Sequence, residues 1–561
     1  CSAGAESRPS GGVIHWSKQP SRPWLAWAIE KVSNPVDGTH DSDAQAPGLF
    51  PRLPLTTSLT VCDLRTASPA VQLSIATLAG LVNRGPQRLY LIEHDDDIFW
   101  LSLLASSLPQ SRVPAAGDDL LACLIAQYRS HLQGLVLYAP ALPATRNVAS
   151  MLAALYACLA VSPEQAVRLQ REPSGLPVLA DLRLHAWRNS LQAYTWAYRH
   201  ILPLCAPELL AGLAPTIAGR LRSFLVTQRV FTCWLDARRL PHLSAAGWPG
   251  ERQLFKRILS HFSPGSRYLG WFPDEPSGIR LTSRAALLTL ASDHCTNLAI
   301  WSNMPESHQA QVPHPREELV RAQESATQTY LSFTFSDGDN LQYCQHRLLH
   351  LWQDPARGSL PLGWTIAPAL GQAMPALAAF YQRTASANDE FVAGPSGAAY
   401  LLPSHLRGAY RITFLQLTAS YMQAMHLVVL QVLDSNTRFS MKFLHPGLQR
   451  LFVTHLTSSG LRGIFSGAGS ISPSWQRRTG LPIYHNLGLA MTPRRTLKLI
   501  QRAAARGQRF LNVYVFAWRM SPGDLHDLVG HLDETFCLVT PGQLLELIAR
   551  DYASGSTSSR R

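Results

Sequence analysis

From about residue 327 to 550, short apolar runs with strand character alternate with helical stretches, and no feature limits the possible folds more. The runs are Leu331 to Phe335, Leu362 to Ile366, Glu390 to Ala393, Leu427 to Leu433, Gly463 to Phe465, Pro482 to Tyr484, Phe510 to Phe516 and Cys537 to Thr540. Helical periodicity falls between or after them at Met374 to Thr384, Phe414 to Met425, Pro493 to Ala505 and Pro541 to Arg550. Parallel strands need long crossovers, and a unit of this kind repeated along one chain curls its sheet into a (β/α)8-like, TIM-type barrel. The expected barrel occupies residues 326–552, with a seven-stranded version fitting the same pattern. Upstream, strands at Leu59 to Leu64, Arg88 to Ile92, Gly134 to Tyr138, Pro177 to Asp181, Arg229 to Leu235 and Arg267 to Trp271 alternate with helices, which predicts an N-terminal parallel-sheet α/β domain over 49–325. Residues 1–48 read as an irregular leader or tether, and 553–561 as a disordered tail.

In a barrel of this type the chemistry lies on loops leaving the C-terminal strand ends. The first such exit, Ser336-Asp-Gly-Asp-Asn340, gathers two carboxylates and an amide where an alternating strand leaves the core. Buried acids are costly unless something polar or reactive meets them. Either Asp337 or Asp339 is therefore expected to supply one catalytic carboxylate, with Asp434, at another exit, as its partner, since paired acids usually come from different strands. The competing reading has Asp337 and Asp339 capping the next helix through its free N–H groups. Trp364 and Trp518 are candidate sugar-stacking rings, against a core-filling role. Asp274 and Glu275, in the turn Trp271-Phe-Pro-Asp-Glu-Pro276, are placed to reach across from the N-terminal domain.

The formal charge of +13 is carried almost wholly by scattered arginine, with no clustered basic and aromatic surface, so no nucleic-acid partner is expected. Neither GxGxxG nor GxxxxGK[ST] occurs, no phosphate cradle follows, and no cofactor is expected. The nine cysteines show no metal spacing, and no apolar run reaches the roughly 20 residues of a membrane span. A chain starting Cys1-Ser-Ala-Gly is consistent with a bacterial lipoprotein acylated at Cys1, hence secreted or cell-surface, or with a truncation.

Residues Gly394-Pro-Ser-Gly-Ala-Ala-Tyr-Leu-Leu-Pro403 resemble the signature of the GxGYxYP family of glycoside hydrolase-like proteins. Gly397, Tyr400 and Pro403 match, whereas Ala399 and Leu402 replace the second Gly and second Tyr. Asp63-Leu-Arg65, Gly80 to Arg84, Gly270 to Glu275, Ser336 to Asn340 and Gly363 to Pro368 are similar to further segments of this family, in its order. The resemblance implies a glycosidase-like barrel acting on a carbohydrate, with Asn340, Ser396, Gly397 and Tyr400 joining Trp364, Trp518, Asp274 and Glu275 in binding substrate. Thr334-Phe-Ser-Asp-Gly338 also resembles a polysaccharide deacetylase motif in which Asp337 would bind metal, with His346 and His350 spaced i, i+4 on the next helix. A decayed, carbohydrate-binding barrel is the non-enzymatic alternative, prompted by Ala399 and Leu402.

Overall fold

The structure, a computed structural model, describes residues 48–171, 175–239, 249–304, 328–437, 440–469, 474–476 and 480–558. Cys1, most of the leader and the last three residues lie outside the described residues.

The first half is α/β with parallel strands, but the strands form three small sheets rather than one. Ser58–Asp63 pairs with Gln87–Ile92 and Gln110–Arg112; Gly134–Leu137 pairs with Cys158–Val161 and Val178–Asp181. In the third, Arg267–Gly270 lies between Leu288–Ala291 and Leu209–Gly212, and Phe231–Cys233 borders the latter. Strand and helix alternation is the same for one sheet as for three, because it does not encode which strands pair. The apolar run from Met151 to Val161 is not one element: Ala157 takes a left-handed φ of 53°, ending the Ala144–Tyr156 helix and starting the Cys158–Val161 strand.

The second half is a curled sheet of ten strands, parallel except for one short strand. Its path runs from Ile483–His485 through Gly463–Ser466, Val429–Val432, Asp389–Ala393, Leu362–Ile366 and Thr329–Phe335 to Phe510–Val515 and Leu489–Ala490. The segment from Ile483 to Ala490 thus bonds to a strand on each side: Ile483 to His485 register with Ile464 to Ser466, and Leu489 and Ala490 with Tyr514 and Val515. The run expected to be an eighth barrel strand is Phe536–Leu538, which pairs only with the start of the first strand. The Pro541–Ser558 helix extends past Arg550.

Alternation along the strands sorts the side chains. Phe333 and Phe335 pack outward into the helical layer, where Phe335 stacks on Trp364 with centroids 4.6 Å apart. The other face is polar. Thr334 donates to Asn512, Asn512 to Asn486, and Asn486 to Gln431, at 2.8–3.1 Å. The Asn486–Gln431 bond passes over the intervening Gly463–Ser466 strand, which places these amides inside the curl. Buried amides at this density persist because each finds a partner.

The two halves share one apolar core. Trp100, Leu290 and Trp301 join Phe333, Leu349 and Trp352 in one buried cluster, and Trp100 Nε1 donates to the Gln345 carbonyl at 2.7 Å. Single bridges between Thr289 and Tyr400 and between Ala291 and Asn340 tie the third sheet to the loops of the curled sheet. Among the described residues, no helix is long and apolar enough to cross a membrane.

Candidate active site

The Ser336 to Asn340 loop is held on every side. Ser336 N–H donates to the Val515 carbonyl at 2.8 Å, and its hydroxyl meets the Asp337 carboxylate. Gly338 lies so close to the next strand that a Cβ there would come within 2.0 Å of the Thr365 carbonyl, while its N–H donates to Thr365 Oγ1 at 2.9 Å. Asp337 is left-handed, with φ 73°, a conformation that costs a non-glycine residue on the order of 1 kcal/mol and recurs at functional sites. Asn340 Oδ1 accepts the Tyr343 N–H at 3.1 Å, so the amide caps the Leu341–Gln345 helix. The capping role weighed for the aspartates falls to Asn340 instead.

Asp337, Asp339 and Asn340 line a cavity of about 160 Å³ together with Tyr400, Trp271 and Glu275. Ser336, Pro395, Leu433, Ala468, Leu489, Tyr514 and Phe516 complete the described wall. Glu275 is the first residue of the Glu275–Arg284 helix, which follows a strand of the third N-terminal sheet. It accepts the Tyr400 hydroxyl at 2.9 Å, and the Tyr400 ring stacks on Trp271 at 6.1 Å and 14°.

Burial and mutual repulsion govern the three acids. Burial pushes the Asp339 carboxyl well above the usual carboxylate range, and the neighbouring Asp337 and Glu275 charges push it further. Burial also raises Asp337, opposed by hydrogen bonds from Ser336 and Trp518. Glu275 is raised by burial against the Tyr400 bond, with Asp337 and Asp274 adding to the rise. Tyr514 and Tyr343, both buried, have hydroxyls shifted far upward by burial first and then by the Asp337 charge.

Other expected site residues sit elsewhere. Asp434 is buried but does not line the cavity; its oxygens accept N–H groups of Ser404 at 2.9 Å and His445 at 3.4 Å, joining two loops. A strand exit is a region rather than a direction, and this carboxylate turns toward backbone donors. Trp364 is fully buried behind the sheet, its Nε1 donating to Asp389 at 2.8 Å, so it fills core. Ser396 is buried, its hydroxyl giving to and taking from the Leu433 backbone. Gly397, at φ 133°, leaves only 2.5 Å between a built Cβ and Thr418 Oγ1, so this glycine is required for packing. Asp274 caps the Glu275–Arg284 helix by accepting Ser277 N–H. Trp518 is 45% exposed at the rim, edge-on to Tyr343 at 5.9 Å. Ala399 is absent from the left-handed residues, so no glycine is needed there, and Leu402 is packed into the core.

Trp271, Ser336, Tyr514 and Phe516 were not foreseen in the wall. The signal for the last two lay in the alternation of Asn512-Val-Tyr-Val-Phe516, whose even positions face the interior. His346 and His350 meet Asp96 instead, each at 3.1 Å, and they do not share the helix after the acidic loop, because the helix breaks at His346 and His350 lies on the following Arg347–Trp352 helix. Among the described residues, no three His, Cys, Asp or Glu are grouped to hold a metal ion.

Mixed α/β layers of parallel strands, one sheet curled about an acidic, aromatic-walled cavity at its C-terminal strand ends, define the class of chain this is. It belongs to the GxGYxYP family. Residues 58–125, 132–205 and 207–303 match that family's first, second and third N-terminal domains, one for each small sheet. Residues 327–549 match its "putative glycoside hydrolase C-terminal domain". The fold is similar to a crystal structure described as a "putative hydrolase" from Bacteroides thetaiotaomicron, at 20% identity, with a TM-score of 0.75 over 91% of this chain and 98% of that one. No curated protein matches the chain in sequence.

Proposed function

We propose that the protein is a glycoside hydrolase working through Asp337 and Glu275, with the curled sheet acting as a seven-stranded barrel in which the Ile483 to Ala490 segment completes the ring. The observation carrying this reading is that acids from two distant parts of the chain share one aromatic-walled cavity. Aspartates two apart on one loop are poorly placed to flank a scissile bond, whereas Glu275 enters from the third N-terminal sheet. Glu275, raised by burial, holds a proton for the leaving glycosidic oxygen. Asp337 has the most compensating donors and is the group best able to ionise and face the anomeric carbon or its attacking water. Asp339, the most strongly raised, stays protonated and donates to a sugar hydroxyl.

A glycan-hydrolysis screen tests this reading. Turnover by the wild type, falling by about 10²- to 10⁴-fold in Asp337→Asn and Glu275→Gln, is the expected result. Unchanged turnover in either variant removes that residue from catalysis. Absence of turnover on any glycan, with binding retained, would support the decayed-barrel reading.

A further inference from the structure

The Asp337 carboxylate is braced by the exit of the neighbouring strand. Phe510–Val515 lies in register beside the strand that carries the acidic loop, and the turn after it, Phe516-Ala-Trp-Arg-Met520, folds back on itself. The Arg519 and Met520 N–H groups both return to the Phe516 carbonyl, at 3.0 and 3.2 Å. Two further bonds clamp this turn to its surroundings. Ala517 N–H donates to Ser336 Oγ at 3.2 Å, and the Ala517 carbonyl accepts Arg347 Nε at 2.8 Å. Trp518, next in the turn, packs edge-on against Tyr343 with centroids 5.9 Å apart, and its indole donates to the Asp337 carboxylate.

Ser336 and Trp518 are unequal donors to that carboxylate. A serine hydroxyl can turn and accept from a protonated acid, whereas an indole N–H only donates. The indole bond therefore favours the ionised form alone. The selection matters because Asp339, Glu275, Tyr343 and Tyr514 face the same carboxyl, and a charge on Asp337 disfavours ionisation of every one of them. In a crowded group of acids, the first to ionise is the one with the best donors.

We infer that Trp518 is a positioning residue for Asp337: its indole N–H holds that carboxylate at the cavity wall and selects it to carry the negative charge of the acidic group, instead of its ring serving as a sugar platform. The consequence for rate rests on the hydrolase reading above; the bond itself does not. Since Trp518 is 45% exposed, exchanging its ring for a smaller aromatic one leaves the core intact.

Two measurements on the full chain separate the bond from the catalysis. In NMR spectra of protein carrying isotope-labelled tryptophan, the indole signal missing from Trp518→Phe is that of Trp518. It is expected to shift with pH along a titration curve that Asp337→Asn abolishes. A signal indifferent to pH, or one that titrates equally in Asp337→Asn, overturns the inference. In the pH–rate profile of glycan hydrolysis, Trp518→Phe keeps an aromatic ring and loses the N–H. Its acidic limb is expected to move upward by about one pH unit, the loss of one hydrogen bond to a charged group, with KM close to that of the wild type. A raised KM with the acidic limb unmoved would assign Trp518 to sugar stacking and overturn the positioning role. A wild type that cleaves no glycan sinks the hydrolase reading, and the indole titration alone then decides the inference.

Discussion

The Tyr400 hydroxyl donates to Glu275 Oε1 at 2.9 Å, joining residues 125 positions apart across the seam between the curled sheet and the third N-terminal sheet. Tyr400 therefore sets both the position of Glu275 and its proton affinity, because a donor favours the ionised carboxyl.

Tyr400→Phe is expected to raise the Glu275 pKa further, since burial and the Asp337 charge would act without the opposing bond. With Glu275 as proton donor, the basic limb of the pH–rate profile moves to higher pH. An unmoved limb in Tyr400→Phe counts against this role.

Asp339→Asn is expected to stabilise the fold near neutral pH. A carboxyl whose folded pKa is raised binds protons more tightly folded than unfolded, so its contribution falls as pH rises from the unfolded value through the folded one. The variant, which does not titrate, should melt higher than wild type at pH 8, with the gap shrinking toward pH 4. Equal melting differences at both pH values would contradict this.

Gly338→Ala should cost about 3 kcal/mol or more in denaturant unfolding, because the added methyl meets the Thr365 backbone rather than a mobile side chain. Gly408→Ala, where nothing lies within 4 Å of a built Cβ, provides the comparison, although its φ of 62° adds its own smaller strain.

Asp96→Asn is expected to loosen the seam between the Asp95–Ser102 helix and the Arg347–Trp352 helix. Burial pushes the Asp96 carboxyl up, but His346 and His350 together outweigh it and hold the pKa below the usual value. Such a group stabilises above its unfolded pKa and loses that contribution as pH falls through the folded one. The melting loss should therefore be present at pH 6 and fade as the pH falls below the usual carboxylate range, and remain modest since His350 is largely exposed.

The periodicity of the second half was readable because the outward face of each strand must be apolar to pack on the helices, and seven of its eight runs lie on the path of the curled sheet. What alternation cannot carry is partner choice. Hence three small sheets stood where one was expected, and Phe536–Leu538 attached beside the first strand, off the path of the curled sheet. At the site, the Ser336 to Asn340 loop was legible because acids at a strand exit are expensive. Glu275 was legible only as a turn residue that could reach across, and its pairing with Tyr400 depends on domain packing that no local pattern records. Asp434 and Trp364 had suitable chemistry and neighbourhood but faced backbone donors and core, a matter of side-chain direction that residue type leaves open.

The two bridges that pin Thr289 to Tyr400 and Ala291 to Asn340 have a consequence for inheritance. The wall of the cavity is divided between two matched domains, so neither can be shuffled, excised or replaced without opening the other's half. A C-terminal domain expressed alone would keep Asp337 and Asp339 yet present them in an open trough, without Trp271 or Glu275. Changes in what the cavity accepts would then have to be written in two places at once, which makes the four domains a single evolutionary unit.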